Sequence, residues 1–515
     1  MKKILLINPG HDNEHELNKH QTHRTIHRDP PPVALLYVAT YLSEHGYGVD
    51  IIDTHVEEDY INLIKNKVLE NDYLFIGITV IIGKFLKNAK ELTNLIREIK
   101  SKTPIVWGGI MSSVFPEECL KQYNLDYVIR FEGEETSLEL AKALENNSPI
   151  NDINGLSYVK EGKIINNPAR IPKINLDELP IPRWNLFGSY FNKEQTPYYY
   201  LIMSSKGCPF NCKFCYKHSI DKEIRTKVPP WRKRSYEHII KEIEYIHNNT
   251  GTKVFSFGDD NFCVDKQRVL KILEYFKEKG FYIEEAISHL NCIDDELIEA
   301  MGGIVQTLIC SVETASPRLQ KNIDKRVNLE SVPAKIKKLY EKGIAVNLSF
   351  IIGFPSETNE DLRMNIDLML ELKKLNPFVR GNIYFLFPLP KTQIYNEIKE
   401  LYNVELPIHL SDLEEANFWV KNEEDPIGRK FRPWIDKDRF GFLVNYGLVF
   451  NNVFHVNNHT FNNITNTLLE NNQEIKEMFK GINSVNRPKT DYRPYVPDRV
   501  LKEEEIDLVN DLKNK

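Results

Sequence analysis

The sequence predicts an α/β protein in three parts: a doubly wound parallel sheet, an open partial barrel of six strand–helix units, and a mainly helical C-terminal region. Three observations carry this. Short apolar runs alternate with amphipathic stretches over residues 1–145, and the same alternation resumes over 196–400. A stretch dense in proline, 146–195, separates the two. Beyond 400 the alternation fades, and residues 401–515 read as helices rich in aromatics and asparagine. Strands separated by helices imply parallel sheets, because a crossover helix returns the chain to the same end of the sheet.

In the first part, residues 2–8 form a strand ending in Asn8, Pro9 and Gly10. A polar loop with His11, His15, His20, His23 and His27 follows, read as loop residues and not metal ligands. Prolines ending at Pro32 open a helix. Its residues Leu35, Leu36, Ala39 and Leu42 keep helical spacing, and Gly46 stops it. Further strands are expected at 49–53, 73–80, 104–109 and 127–130, with helices near 57–71, 85–101 and 116–123. Ligands bind such sheets at the carboxyl ends of the strands. Those ends lie at Asn8, Asp53, Thr79 and Gly108-Gly109. No G-x-G-x-x-G follows the first strand, which argues against a dinucleotide site.

Residues 155–167 look like a hairpin turning at Glu161-Gly162, and Pro172, Pro180 and Pro182 suit an irregular linker. The barrel strands are expected at 198–204, 253–262, 282–288, 307–314, 346–355 and 382–392. The helix at 235–249 carries Ile239, Ile240, Ile243 and Ile246 on one face. Charged groups ending a buried strand, such as Asp259, Asp260 and Glu313, belong to the mouth of a barrel, where sites are built. Helices are expected at 438–453 and 461–480, with a polar stretch at Asn457, Asn458 and His459 and an aromatic run at 418–420.

The densest chemistry is S-S-K-G-C-P-F-N-C-K-F-C-Y, residues 204–216. Three of the seven cysteines, Cys208, Cys212 and Cys215, stand at C-x3-C-x2-C spacing. Three thiolates on one loop suit three corners of an iron–sulfur cluster and leave one iron open. A zinc site is the alternative, but Cys263, Cys292 and Cys310 are isolated and make no second pair. Buried apolar cysteines are the other alternative, against which Gly207, Pro209 and Asn211 mark an exposed loop.

Lys+Arg number 67 and Asp+Glu 73, a net charge of −6 that gives no basic field for nucleic acid. The run Trp231 to Arg234 reads as a solvated face. No apolar run approaches the roughly 18 residues that cross a membrane. The apolar run at residues 4–7 is too short for a signal peptide. Odd, grouped cysteines point to a reducing cytoplasm and not to a disulfide framework.

C-x3-C-x-aromatic-C, with Phe214 before the last cysteine, resembles the radical S-adenosylmethionine superfamily. The resemblance implies a 4Fe-4S cluster on Cys208, Cys212 and Cys215. It implies S-adenosylmethionine contacts from Phe214, from Gly258, Asp259 and Asp260, from Glu313, and from Ile351 and Gly353. For the aspartates the alternative is a helix cap, and for Glu313 an ion pair at the barrel mouth. Lys325 fits the family's I-x-K pattern, while Ser349 and Lys391 replace family glycines.

The first part resembles the Rossmann-like cobalamin-binding domain that precedes the barrel in many of these enzymes. The matching pieces are P-P-x-x-L-L-Y-x-A from Pro31, G-G-I from Gly108 and R-F-E-G-E-E-T from Arg130. That resemblance implies cobalamin contacts at Asn8, Pro9, Pro32, Leu35, Thr79, Gly108, Gly109 and Glu132. The alternative is a scaffold that has lost the cofactor. Asp53-Thr54-His55 is half of a cobalt-histidine motif, but Glu58 stands where glycine is needed, so no histidine on cobalt is expected from it.

Together these imply a cobalamin-dependent enzyme. It cleaves S-adenosylmethionine to a 5′-deoxyadenosyl radical, abstracts hydrogen from an unactivated carbon and transfers a methyl group to it. The alternatives are radical oxidation, cyclisation or rearrangement, or a non-catalytic iron–sulfur or electron-transfer protein. The implied partners are a small-molecule or peptide substrate and a low-potential donor such as a flavodoxin or ferredoxin. Neither nucleic acid nor a membrane is expected. The C-terminal region is read as covering the open barrel, either shaping substrate choice or only stabilising it.

Overall fold

A computed structural model describes residues 1–10, 32–57, 59–188, 191, 199–218, 222–404, 409–414, 426–454 and 472–479. The loop histidines 11–27, Glu58, residues 198 and 418–420, Asn457, Asn458, His459 and most of the helix expected at 461–480 lie outside them.

The N-terminal strands are β1 (Lys3–Asn8), β2 (Gly48–Asp53), β3 (Tyr73–Thr79), β4 (Ile105–Gly108) and β5 (Tyr127–Ile129). They lie in the order β2-β1-β3-β4-β5, all parallel. Helices cover both faces: Val33–Glu44 packs Leu35, Ala39 and Leu42 on one, and Lys84–Ile99 packs Leu86, Ala89, Leu92 and Ile96 on the other. The hairpin expected in the linker, β6 (Leu156–Lys160) and β7 (Lys163–Asn166), instead extends this sheet, with β6 antiparallel to β5. Its register supplies partners to the otherwise open edge of a three-residue strand.

The second sheet has six parallel strands in the order β15-β14-β13-β12-β11-β8. Their ranges are β8 (Tyr200–Ile202), β11 (Val254–Phe257), β12 (Tyr282–Ile287), β13 (Val305–Glu313), β14 (Ala345–Ile352) and β15 (Arg380–Phe385). Chain order matches spatial order, as a (β/α)6 partial barrel requires. Two strands end furthest short of their expected ends. β11 stops at Phe257, before the Gly258 turn. β15 stops at Phe385, before Pro388 and Pro390, which have no N–H for a ladder. The strand expected at 198–204 divides. After β8 the chain leaves the barrel as β9 (Ser205–Gly207), which pairs antiparallel with β10 (Trp231–Lys233).

The C-terminal helix Lys437–Phe454 belongs to the barrel core. Tyr446 and Phe450 are fully buried, and the Phe450 ring lies 5.5 Å from that of Phe350 on β14. At the outer edge of β15, Asn451 Oδ1 accepts the Ile383 N–H at 2.7 Å while its Nδ2 donates to the Ile383 carbonyl at 3.2 Å. One amide side chain thus occupies the open ladder position where another strand would pair. Among the described residues, no helix is long and apolar enough to cross a membrane.

Phe450→Ala should destabilise the barrel by about 3–5 kcal/mol, the range for deleting a buried aromatic ring. Denaturant unfolding followed by tryptophan fluorescence checks it.

Candidate functional site

The cysteine loop starts where β8 ends, and a buried carboxylate sets its direction. Asp259, directly after the Gly258 turn, is fully buried. It accepts the Ser204 hydroxyl at 2.9 Å, the Ser204 N–H at 3.3 Å and the Ser205 hydroxyl. Burial pushes its carboxyl above the ordinary range, opposed by Arg268 and the two serines. Arg268 also donates to the Ser204 carbonyl at 2.7 Å and to the Arg234 carbonyl at 3.2 Å. Gly207 follows at φ +89, and a Cβ there would stand 2.2 Å from the Pro230 carbonyl oxygen, so no other residue fits before Cys208.

The rest of the loop is tied to the barrel mouth. The Lys213 N–H donates to the Ile323 carbonyl at 3.0 Å, and its own carbonyl accepts the Ile394 N–H at 3.1 Å. Phe210 stacks on His289, centroids 3.8 Å apart. Burial and the neighbouring Lys325 hold that imidazole low, at about 3, so it is neutral. Cys212 is buried, and Cys208 and Cys215 are partly so. Burial pushes the Cys212 thiol up to about 12 and raises Cys215 as well. Buried thiols of this kind stay protonated until a metal displaces the proton. Among the described residues, no three His, Cys, Asp or Glu side chains converge on one metal ion. The three thiols are spread along one loop, and a multi-iron cluster, in which each thiolate takes its own iron, suits that donor set.

The residues read as S-adenosylmethionine contacts gather at this mouth, in several different states. Phe214 packs 6.3 Å from Phe354. Gly258 is needed for packing: a Cβ would meet Met203 Sδ at 2.8 Å. Asp260 pairs with Lys217. Neither aspartate caps a helix, because Asp265 caps Lys266–Lys279. Glu313, at φ +66, lies buried 3.5 Å from Lys325, the ion pair held open as its alternative. Ile351 is half-buried beside Phe354. Gly353, at φ +84, donates to Glu357 at 2.7 Å, and its carbonyl accepts Trp434 Nε1–H at 3.1 Å. Burial raises the Glu357 carboxyl to about 8. Cys310 is fully buried in the core.

The residues read as cobalamin contacts divide. Gly108 ends β4 and Gly109 follows it, with Thr79 beside them. A Cβ on Gly108 would meet nothing within 4 Å, whereas one on Gly109, at φ +95, would stand 2.7 Å from the Val80 carbonyl. This makes an open backbone cradle at the carboxyl end of the sheet. Asn8 donates to Asp53 at 2.9 Å, Pro9 is buried, and the Pro32 carbonyl accepts the Leu35 N–H at 3.0 Å. Leu35 needs correcting: it is buried in the sheet core with Ile4, Leu6 and Ala39, where its helical spacing directs it. Glu132 is held by Lys206 at 3.1 Å and by Arg232.

The basic run at 231–234 is also not a solvated face. Arg232 and Arg234 are buried. Arg234 pairs with the buried Glu242, which accepts Trp184 Nε1–H at 3.0 Å, and donates to the Tyr37 hydroxyl at 3.2 Å. Periodicity could not find these partners, since they come from residues 37, 132, 184 and 242. The strand alternation of Arg232 and Arg234 around Lys233 was the available signal.

Residues 202–369 match the family model of the radical SAM superfamily, and residues 22–141 that of the B12 binding domain. An uncharacterized methyltransferase of Pyrococcus horikoshii is 31% identical over 373 residues, spanning 72% of this chain and 78% of that protein. The chain belongs to the cobalamin-dependent radical S-adenosylmethionine enzymes. A cytidylyl-2-hydroxyethylphosphonate methyltransferase of Streptomyces wedmorensis is 25% identical over 428 residues, 71% of this chain and 76% of that one. The structure of the cobalamin-dependent S-adenosylmethionine radical enzyme OxsB with aqua-cobalamin bound superposes with a TM-score of 0.67. The identity is 18%, covering 100% of this chain and 75% of that one, a likeness of fold. The cofactors of this radical S-adenosylmethionine enzyme are a 4Fe-4S cluster, S-adenosylmethionine and cobalamin.

Gly207→Ala should lose most reconstituted iron while leaving the far-UV circular dichroism unchanged, because only the loop is displaced; iron and sulfide analysis checks it. Glu357 has a folded pKa above its ordinary 4.5, so its contribution to stability is whole below about 4.5 and is lost as pH rises through about 8. Glu357→Gln should flatten the fall in thermal midpoint across that window.

Proposed function

We propose that this enzyme methylates an unactivated carbon of a small molecule or peptide. Cys208, Cys212 and Cys215 hold the cluster, and Gly108 and Gly109 form the corrinoid cradle. The observation that carries this reading is the direct packing of the cysteine loop against the B12-binding segment through Lys206 and Glu132. A cysteine loop placed there serves chemistry shared between two cofactors. The methyltransferase relatives support the transfer outcome.

When bound, the cluster and S-adenosylmethionine supply a hydrogen-abstracting radical, and cobalamin supplies a methyl carrier. The chain's own groups orient and seal. Asp259 aims the loop through Ser204 and Ser205. Asp260 and Glu313 bring carboxyl groups to the mouth for the cofactor's amino group, each paired with a lysine; burial raises the Glu313 carboxyl and Lys325 opposes that shift. Phe214, Ile351 and the Gly353 backbone border its apolar and adenine parts. Trp434 and the helix Lys437–Phe454 back the Gly353 strand end and keep water from it. We assign residues 1–145, with the hairpin Leu156–Asn166 that extends their sheet, to the corrinoid domain, the rest of 146–195 to the connection, 196–400 to the barrel and 401–515 to the covering region. A flavodoxin or ferredoxin in a reducing cytoplasm suits the electron supply.

Anaerobically purified and reconstituted protein should show cluster and corrinoid absorption together. With methyl-labelled S-adenosylmethionine and a strong reductant, label should appear in the corrinoid fraction beside 5′-deoxyadenosine. Deoxyadenosine with no label on the corrinoid would replace methylation by another radical outcome. Cys212→Ala should abolish the cluster band and the cleavage, with the thermal midpoint of the protein shifted by only a few degrees.

A further inference from the structure

Tyr37, Glu132 and Glu134, from the motif fragments L-L-Y and E-G-E-E of the N-terminal domain, meet Lys206 of the barrel. Lys206 stands two residues before Cys208, and its side chain is only 22% exposed. Its ammonium is bound by Glu132 at 3.1 Å and Glu134 at 2.9 Å and lies 5.5 Å from the centre of the Tyr37 ring. Arg232, the register partner of Lys206 across the β9–β10 pair, binds Glu132 as well. From there the bonds continue to the other site. Phe131, next to Glu132 and held at φ +64, donates its N–H to Ser113 Oγ at 2.6 Å. Ser113 in turn donates to the Gly109 carbonyl at 2.7 Å. A contiguous chain therefore runs from the cysteine loop through Lys206, Glu132, Phe131 and Ser113 to the glycine cradle.

We propose that Lys206 is a positioning residue that couples the corrinoid cradle to the cysteine loop, so that filling either site favours the other. This rests on the cofactor assignment above. The ion pairs are half-buried and shared between two carboxylates, so they resist screening better than a surface pair. Replacing Lys206 would leave Glu132 to Arg232 alone and take the cation from Glu134, and the cysteine loop would lose its direct link to the Glu132 loop. Coupling of this kind is reciprocal, and typical magnitudes are about 5–150-fold in affinity.

The test is hydroxocobalamin titration of the full-length chain, with the cluster reconstituted and with it removed. In the wild type the dissociation constant should be about tenfold lower with the cluster present. In Lys206→Met the two constants should agree within about twofold, and Lys206→Arg should restore most of the difference. Glu134→Gln, a milder change, should halve the effect and serves if Lys206→Met does not fold. Equal wild-type constants, or a Lys206→Met that weakens both states alike and keeps their ratio, would overturn the coupling. A wild type that takes up no cobalamin at all would overturn the cofactor assignment, and the coupling with it.

Discussion

The site depends on one buried carboxylate. Asp259 sits without exposure between β11 and the strand that leaves the barrel, and it receives both serine hydroxyls that start the cysteine loop. A carboxylate in such a place costs several kcal/mol unless its lone pairs are met. Here two hydroxyls, a backbone N–H and the field of Arg268 meet them. The result is a stiff corner: β8 ends, the chain turns outward as β9, and Gly207 enters a conformation only glycine tolerates. The direction of the loop is settled before any cysteine is reached.

The same corner is the meeting place of the two sheets. Arg234 and Glu242 form a buried pair that also bonds Tyr37, from the helix Val33–Glu44 of the first domain, and Trp184, from the connecting segment. Removing one member of such a pair leaves an uncompensated buried charge, so the pair sets specificity of packing more than it adds stability. Lys206, Arg232 and Glu132 extend the contact toward the surface. On the opposite side, the helix Lys437–Phe454 closes the edge of β15 through Asn451 and shares the barrel core through Tyr446 and Phe450. An open barrel is stable here because its exposed edge is covered by the same chain.

Most of the architecture was legible in the residue pattern. Alternating strands and helices, a proline-dense connection, and strand ends rich in glycine and carboxylates led to two parallel sheets joined by a linker. Where the pattern misled, tertiary partners were the cause. The hairpin at Leu156–Asn166 joined a sheet because β5 needed an edge partner. Leu35 lies in the core where its helical spacing puts it; the resemblance, and not the pattern, had made it a ligand contact. The basic run at 231–234 proved buried because its counter-charges lie about a hundred residues and more away at Glu132 and in the next helix at Glu242.

The sequence by itself determined the chemistry available: three thiols on one short loop, glycines at strand ends, and a carboxylate after each of two barrel strands. Spacing along a chain is local, and local rules of strand, helix and turn read it well. Only the tertiary structure decided which charges are free to meet a ligand and which are already paired. Glu132, Glu313 and Asp259 look alike in the sequence, yet one ties two domains, one faces a buried lysine and one holds a turn. A carboxylate's role follows from its partners and its exposure to water, and both are properties of the folded chain.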